Sequence, residues 1–460
     1  MTSDAPTAAL RWRDLFASEL RPLTIGIICV EVVSAVESSV VTTIMPDIAR
    51  DLGGLQFYGL VFSGYVLASL ASTQVAGAYS DRYGPLWPFA LMLGVFVLGT
   101  IFAALAPSMP VLAAARIVQG WGGSAQYTIA YGVVATNYPS EARSKMLALL
   151  SAAWVVPGLL SPSLGAALAG TVGWRWAFLL VLPLAACAAV LLIPVLSRFK
   201  RPASASSDGS VPIWLSLQLA VGVGILLAGL AWNSPLAIPA AVVGVGIAYF
   251  AARRLLPPGT ISARRGLPAV IAIGFLANLG FFTGWSYIPL LVTAVGGRTL
   301  AEAGLAITLS SLAWALGAWW QQRVERTVRP QSVALGAAAL LGCGLAASAA
   351  PIANLPAVVS YVGFALASAG MGVVFQTLYL LVAEFAPPGG EVRAVAALQV
   401  ANRIGICLGS GLGGAFIGIA ITARWPVSMG LIATFGLAVC VCVLALPLTS
   451  RLPDGARYAG

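Results

Sequence analysis

Charged side chains set inside long apolar runs are where this sequence could do chemistry. Glu31 and Glu37 lie in the run Leu23 to Pro46, Arg116 in Val111 to Thr136 and Arg403 in Val395 to Thr422, while Glu302 and Glu384 sit near run ends. A charge at the centre of a bilayer costs about 3 kcal/mol or more. At roughly 100° per residue, Glu31, Ser34, Glu37, Ser38 and Thr42 fall within about 140° of arc, a polar stripe that must face protein or water. Burial penalises a charged carboxylate and a nearby guanidinium favours it, so a carboxylate balanced between the two is a proton switch. The natural partner of Glu37 is Arg116, whose stripe continues through Gln119, Gly120, Gly123 and Tyr127. The bland alternative is a permanent ion pair that only registers helices. The chain has no histidine, so any proton chemistry must ride on carboxylates.

Arginine does not deprotonate usefully. Arg403, accompanied by Gln399, Asn402 and Ser410, must therefore be paired, hydrated or facing an anionic ligand, and Glu384 is one candidate partner. Phe281, Phe282 and Trp285 with Asn278 are at helical spacing and suit a cavity for an apolar or cationic ligand, as do Tyr127, Tyr131, Gln376 and Tyr379. Packing or a lipid-facing position is the commoner use of such aromatics. In Trp154, Pro157, Gly158, Ser161, Pro162, Gly165 and Ala169, small residues recur at three- and four-residue spacing while two prolines interrupt the helix ladder. Close packing and bending both follow. Gly405, Gly409 and Gly413 offer a similar surface later in the chain.

The elements that must position these groups follow from composition. Of 460 residues, 59% are hydrophobic and 9% charged, against about 25% charged in soluble domains. Long unbroken apolar runs select helices over barrel strands as the membrane-spanning element. The predicted fold is an all-α polytopic membrane protein of fourteen spans, or twelve if Ile213 to Trp232 and Leu236 to Ala252 form a re-entrant or interfacial hairpin. The six cysteines all lie in apolar runs, which argues against a disulfide framework or a metal site.

Placing the N-terminus in the cytoplasm puts Arg11, Arg13, Arg21, Arg82, Arg143, Lys145, Arg198, Lys200, Arg201, Arg253, Arg254, Arg264, Arg265, Arg323, Arg326, Arg329, Arg393, Arg451 and Arg457 on one side. The other side receives only Arg50, Arg175, Arg298 and Arg424. The positive-inside rule then places both termini in the cytoplasm, and the net charge of +10 points to a membrane and not to nucleic acid. Trp12, Leu15 and Phe16 suit a short interfacial helix over Leu10 to Leu20.

Punctuation repeats between the halves. Gly77, Ala78 and Arg82 are echoed by Gly317, Ala318 and Arg323, and Tyr138, Pro139, Glu141 and Arg143 by Phe385, Pro387, Glu391 and Arg393. Parallel repeats of this kind mark two-bundle transporters. The expected division is a cytoplasmic arm (1–22), a six-helix bundle (23–200), a linker with two additional spans (201–265), a second six-helix bundle (266–450) and a cytoplasmic tail (451–460).

These motifs resemble the major facilitator superfamily, specifically its fourteen-span drug:proton antiporters. Glu37-Ser-Ser-Val-Val-Thr-Thr-Ile-Met-Pro46 is similar to the family's first-span motif, with Glu37 where an aspartate is usual. Gly77 to Gly84 resembles the loop motif between spans two and three, in which Asp81 and Arg82 match residues that help lock the bundles. Arg116-Ile-Val-Gln-Gly120 resembles the span-four motif implicated in proton transfer. Pro157 to Ala166, with Pro162 and Gly165 matching, resembles the span-five antiporter motif, and Trp174-Arg-Trp-Ala-Phe178 the run before span six. Pro85 and Leu86 replace the expected basic residues, and Pro157, Ser161 and Ala166 stand where glycines are usual.

The resemblance implies a major facilitator fold and proton-coupled export of small amphipathic molecules across a bacterial inner membrane, by alternating access. It places proton coupling at Glu37, Arg116 and Glu31, and gating at Asp81, Arg82, Gly77, Gly84, Gly158, Pro162 and Gly165. Gln119, Tyr127, Tyr131, Asn278, Phe282, Trp285, Gln376, Tyr379, Asn402 and Arg403 are the cavity candidates. The expected partners are a small-molecule substrate, protons and the lipid bilayer, with the chain a monomer and no cofactor beyond the proton gradient. Uptake or uniport of a metabolite or lipid is the competing transporter reading. A membrane-embedded enzyme or receptor is the remote one, since no phosphate-binding loop or metal cluster is in the sequence.

Overall fold

Prolines and caps punctuate the apolar runs into helices. The computed structural model describes residues 15–17, 20–138, 140–199, 213–232, 236–325, 327–387 and 390–453. The linker at 200–212, Pro139, Arg326, most of the N-terminal arm and the tail beyond 453 fall outside these; of the expected interfacial helix, Leu15 and Phe16 form part of a short turn. No strand occurs among the described residues.

The helices are α1 (Arg21–Leu52), α2 (Tyr58–Tyr83), α3 (Leu86–Ala104), α4 (Met109–Asn137), α5 (Ser140–Ala152), α6 (Val155–Thr171), α7 (Trp174–Leu179) and α8 (Leu182–Leu196). They continue as α9 (Ile213–Ala231), α10 (Ala237–Leu255), α11 (Leu267–Leu290), α12 (Leu300–Val324), α13 (Pro330–Ser348), α14 (Ala357–Phe385), α15 (Glu391–Thr422) and α16 (Val427–Ala445). Proline occupies the first turn of α1, α4, α8, α11 and α13, where its missing N–H costs nothing. Thr299 and Glu302 form a capping box on α12, satisfying two otherwise orphaned donors. Gly84, at φ 81°, turns the chain out of α2.

Twelve helices are individually long and apolar enough to cross a membrane, with α7 and α8 acting as one. Helix α4, of 29 residues, and the shorter α5–α6 pair stand beside these, so the described helices provide twelve to fourteen crossings. The chain is a multi-pass membrane protein. Helices α9 and α10 have 19 residues each, or about 28 Å at 1.5 Å per residue, enough for a hydrocarbon core of about 30 Å. By length and composition both are long enough to span.

Each half packs in the same way. In the first, α1 lies on α6 and α8, and α4 on α2 and α3; in the second, α11 lies on α15 and α16, and α14 on α12 and α13. Helix α9 packs against α2 and α15, bridging the halves, and α10 packs on α9. At one face, here the near face, the start of α11 meets the end of the described chain through Gly266 N–H donating to Arg451 O at 3.0 Å. At the opposite, far face, Asp51 at the end of α1 accepts from Trp174 Nε1 at 2.9 Å and Arg175 Nη1 at 3.0 Å.

The halves seal against each other towards the far face. Trp285 Nε1 donates to Thr42 Oγ1 at 3.0 Å, Thr308 Oγ1 to Leu159 O at 3.3 Å and Cys407 Sγ to Ser63 O at 3.2 Å. Gly59 lies against the carbonyls of Ser410 and Gly411, and Gly418 against Gln56.

Candidate functional site

The glycines of α3 and α4 determine how the buried charges meet. A Cβ on Gly99 would run into the backbone of Gln119, and one on Gly120 into the backbone of Tyr65, so both helices approach α4 more closely than side chains allow. On the same helix α4, Arg116 meets Glu37 of α1. Arg116 Nη1 donates to Glu37 Oε1 and, at 2.5 Å, to Gln119 Oε1, while its Nε donates to Val61 O at 3.3 Å. The guanidinium lies 4.4 Å from the centre of the Tyr65 ring, a cation–π contact. Gln119 Nε2 donates onward to Thr100 Oγ1 at 3.0 Å. Glu37 and Arg116 are each 3% exposed. Such a pair is held by mutual compensation: removing one partner from a buried pair costs about 3–5 kcal/mol.

Glu31, six residues earlier on α1, has a different environment. It is 2% exposed and is held by neutral donors, Trp154 Nε1 at 2.5 Å and Tyr131 OH at 3.5 Å. Among the described residues no cation forms an ion pair with it. Tyr131 stacks on Tyr127 with ring centres 4.4 Å apart. Trp154 sits at the break between α5 and α6, where Pro157 leaves the Ala153 carbonyl without a helical donor. Protonation of Glu31 therefore uncovers no opposing charge, whereas protonation of Glu37 strands Arg116. Trp154 was visible in the sequence only as part of a packing stripe; its indole N–H, the one polar group at the helix break, was the unused signal.

Known proteins agree with this architecture. The sequence profile of the Major Facilitator Superfamily matches residues 27–410. The chain belongs to the major facilitator superfamily. Among relatives of this family, the "Probable multidrug-efflux transporter Rv1634" of Mycobacterium tuberculosis is 26% identical over 423 residues, covering 88% of this chain and 89% of the relative. "Multidrug resistance protein 3" of Bacillus subtilis is 27% identical, covering 62% of this chain and 58% of its own length. The chain spans 50–60% of the length of that protein and of four fungal relatives. Solved major facilitator structures share the fold: the POT family transporter PepTSo superposes with a TM-score of 0.67 at 13% identity, over 94% of this chain and 98% of the other. A bacterial homologue of the lysosomal transporter Spinster gives 0.65 at 14% identity, over 95% and 98%.

Within this transporter fold the other sequence candidates separate. Gly158 and Pro162 meet α12 of the opposite half, at Ser311 and Gly304, and Gly165 meets Val40 of α1. The span-five motif is thus part of the far-face seal. Asp81 and Arg82 are exposed at the near end of α2; among the described residues neither joins an ion pair, and Arg82 lies over its neighbour Tyr83. Among the described residues the near-face lock that the sequence motif implies has no ion pair at Asp81 or Arg82, and Gly77 and Gly84 beside it face open space.

Tyr127, Tyr131, Phe282, Trp285, Gln376, Tyr379 and Arg403 are partly accessible between the halves. Three cavity candidates are buried in this structure. Gln119 is fully buried within the ion-pair network. Asn278 is 3% exposed, donates to Gly274 O of its own helix at 2.9 Å and underlies Gly405; its amide is used for packing. Asn402 is buried, with its amide oxygen unpartnered. Arg403 Nη1 donates to Ser69 Oγ at 2.5 Å and Ser124 Oγ at 3.4 Å, both across the interface. Those serines and Tyr65 were not singled out in the sequence, because small hydroxyls on apolar helices normally bond their own backbone.

Proposed function

We propose that the chain is a proton-coupled exporter of small amphipathic molecules, working by alternating access. The observation that carries this reading is Glu31: a buried carboxylate at the core of a major facilitator fold, held by neutral donors, six residues from a second carboxylate fixed by Arg116. A proton enters and leaves at Glu31, while the Glu37–Arg116 pair keeps α1 registered on α4. This shifts the proton carrier from Glu37, which the motif resemblance favours, to Glu31. The near face, which carries Arg82, Arg253, Arg254, Arg264, Arg265 and Arg329, is cytoplasmic in this reading. The two six-helix bundles rock about the interface, with α9 and α10 as an insert between them. The multidrug names of the Mycobacterium and Bacillus relatives support export of drug-like molecules.

Transport of fluorescent neutral and cationic dyes into energised inverted vesicles tests the reading, with wild type, Glu31→Gln and Glu37→Gln compared with and without a protonophore. Wild type should accumulate dye only with a gradient, and Glu31→Gln should lose accumulation and its pH dependence while still equilibrating dye. Accumulation by Glu31→Gln with unchanged pH dependence refutes the role of Glu31. Flux that survives the protonophore in wild type assigns the chain to uniport.

A further inference from the structure

We propose that Arg403 is a recognition site for an anionic group on the cargo, so that the transported molecules include amphipathic carboxylates. This rests on the transport reading above and deepens it. The geometry of α15 is the starting point. Gly414 and Ser410 lie along α2 at Gly59, Cys407 bonds Ser63 O, and Arg403, one turn nearer the near face, reaches both Ser69 of α2 and Ser124 of α4. It therefore stands at the inner edge of the seal, where the accessible side chains between the halves begin.

Among the described residues the charge of Arg403 meets no opposite charge in an ion pair. A guanidinium has five N–H donors, and among the described residues its hydrogen bonds go to two neutral hydroxyls, both from Nη1. No described carboxylate forms an ion pair with it, in contrast to Arg116, which is closed off by Glu37 at 3% exposure. Arg403 remains partly accessible, and the phenols of Tyr127, Tyr65 and Tyr379 lie within its electrostatic reach. The Tyr379 ring packs on Phe375 at 4.6 Å, giving an apolar wall beside the charge. A cross-half latch alone needs only a neutral donor; a fixed cation with free parallel N–H groups, hydroxyls and aromatic walls fits a carboxylate with an apolar body.

The test is equilibrium binding to the full-length protein in nanodiscs, using dansyl-phenylalanine and its uncharged amide, which differ in the carboxylate. Wild type should bind the acid more tightly than the amide, and Arg403→Gln should weaken the acid about tenfold or more with the amide within about twofold. Arg403→Lys, which keeps the charge and loses the fork, should be intermediate for the acid. Equal affinity of wild type for acid and amide overturns the inference without any variant, as does an equal loss of both probes in Arg403→Gln with normal acid binding in Arg403→Lys. Gradient-driven accumulation of the amide by wild-type vesicles separates this from the transport reading: amide accumulation with no acid preference sinks the inference alone, and an acid preference with neither probe accumulated sinks proton-driven export alone.

Discussion

Breaking the Glu37–Arg116 pair one side at a time, and then on both sides, distinguishes mutual compensation from simple side-chain packing. Both groups are 3% exposed, so each charge depends on the other for nearly all its stabilisation. Glu37→Ala leaves Arg116 with Gln119 Oε1 and Val61 O, neutral acceptors that do not cancel its charge, and should cost about 3–5 kcal/mol. Arg116→Ala leaves a bare carboxylate and should cost a similar amount. If the losses were independent, the double variant would lose roughly 6–10 kcal/mol by addition. With both charges gone there is no uncompensated ion, and what remains is a cavity and the stranded Gln119 and Val61 acceptors, roughly 2–4 kcal/mol. The coupling energy of the cycle should therefore exceed about 2 kcal/mol. Reversible unfolding in mixed micelles with rising dodecyl sulfate, followed by far-ultraviolet ellipticity, reads these differences. Additive losses, or a cost below about 1 kcal/mol for Arg116→Ala alone, would refute the reasoning.

Three further outcomes follow from the same packing. Gly120→Ala should destabilise by about 1–3 kcal/mol or more through overpacking against the Tyr65 backbone, whereas Gly94→Ala, with open space around it, should be neutral or stabilising by up to about 1 kcal/mol; unfolding midpoints compare them. In the Gln56→Cys and Gly418→Cys double variant, where a Cβ at 418 comes 3.2 Å from that of Gln56, an oxidant should form a disulfide that arrests transport and dithiothreitol should restore it, each single variant remaining active; transport unaffected by a formed bond would refute rocking at this face. Thr299→Ala removes the capping box of α12 and should cost about 1 kcal/mol of stability with transport unchanged in the vesicle assay.

How much of this was legible in the sequence depends on which residues had their alternatives removed by the membrane. Arg116 and Glu37 were readable as partners because a charge in an apolar run must be compensated, and few candidates were available. The polytopic all-helical fold and the major facilitator family were readable because apolar run length and loop punctuation are local signals. The packing contact of Asn278 was not legible because an amide in an apolar helix can be satisfied by its own helix, at Gly274, as well as by a ligand. Asp81 and Arg82 carry a motif whose lock depends on conformation, and sequence does not say which end of the transporter is closed. Trp154 and Ser124 could not be assigned because their roles exist only across helices, where spacing along the chain gives no information.

The two carboxylates of α1 also differ in the energy needed to change their state, which favours Glu31 as the carrier in the proposed cycle. One elementary charge moving through 100 mV releases about 2.3 kcal/mol. Releasing Trp154 from the Glu31 carboxylate forfeits one charge-assisted hydrogen bond, about 1.5–3 kcal/mol, which a single proton on such a gradient matches. Neutralising Glu37 strands Arg116 at about 3–5 kcal/mol, more than that gradient supplies per proton. Trp154 also lies at the junction of α5 and α6, whose Gly158 and Pro162 pack on α12 in the far-face seal. In the proposed cycle a proton on Glu31 acts at this bend between the carboxylate and the seal, and the Glu37–Arg116 pair is the fixed point against which the bend moves.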